Sequence, residues 1–228
     1  ILKVLEAEEF ALLERREAPR ATFDQVALVH PRSHIESILG AVPSHGTRDL
    51  DGDTVLSPES GDAALHAAGA VIAAVDAVAT GRMRNAFCPV RPPGHHAEVD
   101  RAMGFCLFNN VGIGAYHARA AHGLRRVAVV DFDVHHGNGT QRLFWHDPEM
   151  FYASTHQWPC YPGSGSGAER GGSGNIVNVP LAPGSGSSEF RKGVTERILP
   201  ALEAFAPDLL MISAGFDAHK RDPLASLN

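Results

Sequence analysis

The sequence predicts an α/β protein with a mostly parallel central sheet and helices on both faces. Three observations carry this. Short apolar runs alternate with longer amphipathic stretches, the pattern of strand-helix units. The run Val127-Ala128-Val129-Val130 is apolar on both faces, as a central parallel strand requires. Finally, 228 residues at 44% hydrophobic and 20% charged are enough for one large core, so a single domain over residues 1–228 is the expected organisation.

Helices are expected over Leu2 to Glu14 and Pro31 to Leu39, the second opened by a proline suited to a first helical turn. A long amphipathic helix runs from Gly61 to Thr80 and stops at Gly81. A short strand at Asn85 to Val90 then leads into the Arg91-Pro92-Pro93-Gly94 loop. A helix over Asn110 to His122 stops at Gly123 and feeds the strand Arg126 to Phe132. Strands at Met150 to Ser154 and Ile176 to Val179 flank a Gly/Ser-rich stretch, Pro162 to Gly174, read as a surface loop within one core. A helix capped by Ser187 or Ser188 runs to Ala204 and precedes the apolar strand Asp208 to Ser213.

Charge and cysteine usage exclude some classes. Lys plus Arg total 20 against 26 Asp plus Glu, a net charge of -6, which argues against direct nucleic-acid binding and is compatible with a cationic substrate. Cys88, Cys106 and Cys160 are odd in number and match no zinc or redox spacing, so reduced thiols of a cytoplasmic protein are expected. No membrane span is expected, because the longest apolar stretch, Ala63 to Ala79, is broken by His66 and Asp76. The chain opens at Ile1 without Met and stops at Asn228, and is read as a fragment lacking both ends.

The strongest chemical signal is Asp131-Phe132-Asp133-Val134-His135-His136-Gly137-Asn138-Gly139, which leaves a buried strand and runs into glycines. Period two puts Asp131, Asp133 and His135 on one face. Two carboxylates on a core strand repel and are costly to desolvate, so a cation must compensate them. The competing reading is a strand-end turn with solvated Asp residues. A third ligand is expected from another strand end, and Asp217 in Ser213-Ala214-Gly215-Phe216-Asp217 follows an apolar strand. Two Asp and one His make an open, catalytic type of zinc site. Their charge nearly neutralises the metal, so a separate general base is needed. His95 and His96, after the rigid Pro-Pro-Gly loop, are the candidates, against the alternative that they are surface residues.

Taken together, Arg91-Pro-Pro-Gly-His-His96, Gly104-Phe-Cys106, Asp131 to Gln141, Tyr161-Pro-Gly163 and Gly215-Phe-Asp217 closely resemble the histone deacetylase family. More specifically, they resemble its bacterial class II-like deacetylases and acetylpolyamine amidohydrolases, over about Asp53 to Leu227. The resemblance implies an arginase/deacetylase-like fold and zinc held by Asp133, His135 and Asp217. It implies His96 as the general base oriented by Asn138, and His95 as an electrostatic partner paired with buried Asp131. A carboxylate keeps its His charged while an amide does not, which agrees with those roles.

The resemblance further implies a substrate tunnel walled by Gly104, Phe105 and Tyr161, with Leu224 at its rim, suited to an acylated lysine or polyamine. It also implies a potassium site of main-chain oxygens from Asp131, Asp133 and His135 with Ser154 and Thr155. The family's Tyr in a Gly-Gly-Tyr turn has no counterpart in these residues, so weakened catalysis is expected. Two rivals stay open: a manganese ureohydrolase of the same architecture, and a non-catalytic acyl-lysine or small-molecule binding module. Self-association into a homo-oligomer is left open as well.

Overall fold

The computed structural model describes residues 1–228. In chain order, α1 (Leu2–Leu5), α2 (Phe23–Val26) and α3 (Arg32–Ala41) precede an antiparallel ribbon of β1 (Arg48–Asp49) and β2 (Val55–Leu56). Next come α4 (Ser60–Ala79), α5 (Asn110–His122), β3 (Val127–Asp131), α6 (Asn138–Phe144), β4 (Met150–Gln157) and β5 (Ile176–Leu181). Helix α7 (Ser187–Gly193) continues through a π-helical turn (Val194–Ile198) into α8 (Leu199–Phe205), and β6 (Leu209–Ser213) closes the order.

The main sheet is four-stranded, ordered β5-β4-β3-β6, and every neighbouring pair is parallel. Both faces are covered at β3, as its doubly apolar run demands, while Leu210 and Ile212 of the edge strand β6 stay exposed. Val127 and Val129 pack with Ala115, Ala118 and Val75 on the α4/α5 side, while Ala128 packs with Phe151, Ala153 and Ile198 on the α7/α8 side. Asp131 stands level with Ser154 of β4 and Ser213 of β6, so the segments leaving the carboxyl ends of three strands emerge side by side. Helix α5 is fixed at both ends: the Asn109 side chain accepts the Gly112 N–H at 2.9 Å, and Gly123 takes the left-handed conformation at φ 66.

Several expectations are corrected. Asn85 to Val90 is not a strand: it pairs with no neighbour and is largely exposed, because an apolar run becomes a strand only where another backbone edge accepts its hydrogen bonds. The helix expected over Leu2 to Glu14 is reduced to α1 and a short 3₁₀ turn at Glu8–Phe10. None of its residues is buried, and without packing a short helix does not hold together in water. Pro31 is the N-cap of α3, not its first residue, and α7 is capped at Gly186, whose N–H donates to Glu189 Oε2 at 2.9 Å, rather than at Ser187 or Ser188. Strand β3 ends at Asp131, so Asp133 and His135 sit on the segment beyond it instead of on a shared strand face.

Helix α4 is long and apolar enough to cross a membrane by length and composition, despite His66 and Asp76. Its apolar side is occupied in the fold: Ala64, Leu65, Ala68 and Ile72 join the core with α3 and α5.

Candidate active site

The segments leaving β3 and β6 bring Asp133, His135 and Asp217 together, with one donor atom from each lying within 4.8 Å of the others. His135 Nδ1 is 3.1 Å from Asp133 Oδ1 and 3.0 Å from Asp217 Oδ2. One ring nitrogen can serve two oxygens with its single hydrogen only by sharing it, whereas a cation among the three atoms satisfies all of them. The carboxylates are aimed by the backbone: Asp133 Oδ1 accepts the His135 N–H at 2.8 Å, and Asp217 Oδ1 accepts the Val134 N–H at 3.0 Å. With a proton in place of a cation, burial works against charge on His135. The flanking carboxylates prevail and push it up to about 10. Burial likewise opposes ionisation of Asp133, yet hydrogen bonding from His135 and the charge on His95 hold it down at about 2.

The His pair stands beside this group, its ring centroids 4.0 Å apart and that of His96 6.0 Å from the His135 ring. His95 Nδ1 lies 2.9 Å from Oδ2 of Asp131, which is fully buried. Burial disfavours the imidazolium, but the Asp131 carboxylate overrides it and raises His95 to about 9. His96 Nδ1 instead meets Asn138 Oδ1 at 2.8 Å. Burial, reinforced by the charged His95, lowers His96 to about 3. Two adjacent histidines thus differ in charge because one faces a carboxylate and the other an amide.

Sequence reasoning missed the residues that hold these partners in place. Tyr152 of β4 donates its hydroxyl to Asp131 Oδ2 at 3.3 Å and accepts the Gly137 N–H at 3.0 Å. Its position two residues before Ser154, on the same strand, is the signal that could have found it. Glu98 accepts from Asn138 Nδ2 at 2.9 Å and so turns the amide oxygen towards His96. Asp53 and Thr54 accept the N–H groups of Gly104 and Phe105 at 3.1 and 3.2 Å. Such long-range partners leave no trace in local spacing.

Of the expected tunnel residues, Gly104 and Tyr161 lie against the pair. Gly104 has φ 56, and a Cβ there would stand 2.4 Å from the His96 ring. The Tyr161 ring is 5.1 Å from that of His96 and 6.1 Å from that of His135, edge-on in both cases. Phe105 follows Gly104, exposed and itself at φ 67. Leu224 is exposed and its N–H bonds Asp222 Oδ1 at 3.0 Å. Ser154 and Thr155 are buried next to the strand end; Ser154 Oγ meets His156 Nδ1 at 2.8 Å, and Thr155 Oγ1 has no hydrogen-bond partner.

Comparison with known proteins places this geometry. The histone deacetylase domain family matches residues 1–228. A histone deacetylase-like amidohydrolase of Pseudomonas aeruginosa is 42% identical over 221 residues, covering 95% of this chain and 58% of that protein. A probable deacetylase of Methanothermobacter thermautotrophicus is 45% identical over 233 residues, covering 98% of this chain and 69% of the relative. The crystal structure of an acetylpolyamine aminohydrolase from Burkholderia pseudomallei superposes with a TM-score of 0.88 at 32% identity, over 99% of this chain and 75% of that one. Measured against the Pseudomonas protein, the chain spans somewhat less than three fifths of its relative's length. With a parallel sheet of this topology and a family match along all 228 residues, the chain belongs to the histone deacetylase family and has its arginase/deacetylase-like α/β fold.

Proposed function

We propose that this chain carries the catalytic centre of a zinc-dependent amidohydrolase that removes an acyl group from an acylated lysine or polyamine. The observation that carries the proposal is the unequal His pair, charged His95 beside neutral His96, set against a three-ligand group. Asp133, His135 and Asp217 would hold the ion: two carboxylates and one imidazole are a donor set zinc accepts, and the doubly approached His135 nitrogen supports a cation there. When bound, zinc supplies Lewis acidity towards the acyl carbonyl and the attacking water.

The chain's own residues do the rest. His96 commits Nδ1 to Asn138, which leaves Nε2 free to accept a proton from water and to return it to the amine nitrogen. The water oxygen forms the new C–O bond, the C–N bond breaks, and the products are a carboxylate and the free amine. His95, kept charged by Asp131, places positive charge where negative charge develops on the acyl oxygen. Tyr161 and Phe105 offer aromatic surface to an alkyl stem, which favours a linear acylated side chain over a bulky amide. A potassium ion among the main-chain oxygens of Asp131, Asp133 and His135 with Ser154 and Thr155 belongs to the same proposal, supported by the buried, unpartnered Thr155 hydroxyl. So do the single-domain organisation of residues 1–228 and a cytoplasmic location.

Release of acetate from an N-acetyl-lysine peptide and from acetylputrescine, measured with and without a chelator, tests the reading. Chelator-sensitive release from either substrate is expected. Binding of both without release would favour the non-catalytic module. Turnover of guanidino compounds with manganese would favour the ureohydrolase.

A further inference from the structure

A second group of ligating side chains lies away from this centre, between α4 and α5. Asp76 stands in the last turn of α4, and His117 and His122 in the last two turns of α5. His117 Nε2 is 2.7 Å and His122 Nε2 2.6 Å from the same atom, Asp76 Oδ1, and the three donor atoms lie within 4.8 Å of one another. The His rings are 5.8 Å apart at 80°, so their nitrogens converge on one point from different directions.

We propose that Asp76, His117 and His122 form a second metal site, taking a divalent transition-metal ion of the zinc class with water completing its coordination. Two imidazoles and a carboxylate suit zinc and its neighbours and disfavour magnesium or calcium, which prefer all-oxygen ligands. The His–Asp separations are shorter than the roughly 3.3 Å that ligands of a tetrahedral zinc keep, so the carboxylate must withdraw by about half an ångström. It is free to do so, since the Asp76 side chain is 39% exposed. Val71 and Val75 both face Gly114, and Asp76 then meets His117 and His122, so the two helices run the same way and end together. Both C-terminal dipoles therefore point partial negative charge at the site. The nearest arginine of α5, Arg119, is engaged by Asp147 and Glu149 instead. His122 leads into the amino end of β3 and Asp133 follows its carboxyl end, so about five residues of strand, some 16 Å, separate the sites. The second ion is thus no partner in the first centre. It ties α4 to α5 at the entry to the central strand.

Zinc binding by the whole chain, measured by dialysis and metal analysis, tests this independently of the first site. Wild type is expected to bind about two equivalents, Asp217→Ala about one, and Asp217→Ala combined with His122→Gln none. The glutamine can still donate to Asp76, so a hydrogen-bonded brace would survive the change where a metal site would not. Cobalt substitution in the Asp217→Ala protein should give a visible d–d spectrum that His122→Gln and Asp76→Asn each abolish. A single equivalent in wild type that Asp217→Ala removes would overturn the second site and leave the first intact. So would metal retained at full stoichiometry in the folded Asp217→Ala/His122→Gln protein.

Discussion

At Gly215 the backbone passes so near Asp133 that an added Cβ would lie 2.0 Å from its Oδ2. Glycine is needed there for the close approach, because any side chain would push the carboxylate out of the ligand group. Gly215→Ala is expected to weaken zinc binding about 10–100-fold, as loss of a ligand's support typically does, with Asp217→Ala abolishing stoichiometric binding at the first site. Competition with a chromophoric chelator measures both; unchanged affinity in Gly215→Ala would mean that Asp133 is not a ligand. The candidate ligands Asp133, His135 and Asp217 were readable from sequence because they lie shortly past the ends of apolar strands, and His95 and His96 because they follow the Pro-Pro-Gly loop, whereas the direction each side chain takes was not. Tyr152, Glu98, Asp53 and Thr54 were not, since their partners lie from 15 to 51 residues away and meet them only in the folded chain.

Among the elements, the link between α2, α3 and the start of α5 depends on a buried neutral histidine. His30, between α2 and α3, donates Nδ1–H to the Val99 carbonyl at 2.8 Å and accepts the Asn109 N–H on Nε2, also at 2.8 Å. Burial lowers it to about 4, and adjacent His34 adds to the shift. The unfolded chain therefore takes up this proton before the folded one does. Stability from His30 is complete above its ordinary value of 6.5 and is lost as pH falls towards 4, by roughly 3 kcal/mol at most. Thermal melts between pH 7 and 4 should show a steeper loss for wild type than for His30→Gln; equal slopes would mean that His30 is not held neutral. At this scale the sequence was legible for α4, α5 and β3, where periodicity and caps agree. It misled at Asn85 to Val90, whose composition suits a strand but which has no partner edge.

For the whole molecule, parallel strands deliver three loops to one edge, where Asp133, His135 and Asp217 converge. Zinc bound only by the folded state should stabilise it by about 2.7 kcal/mol per site at a free concentration 100 times Kd, seen as a rise in Tm that a chelator reverses. The alternation of strands and helices made the architecture readable from composition and pattern. The ordering β5-β4-β3-β6 was not, because strand neighbours are chosen by packing across the whole sheet. The proposed catalysis turns on His96 acting as a base beside a metal it does not ligate. The most direct measurement is acetate release from an acetylated substrate by wild type and His96→Ala at matched zinc content. A fall of about 10²–10⁴-fold in kcat with zinc retained is expected, together with a smaller fall for Asn138→Ala. Equal turnover by wild type and His96→Ala would show that His96 is not the base.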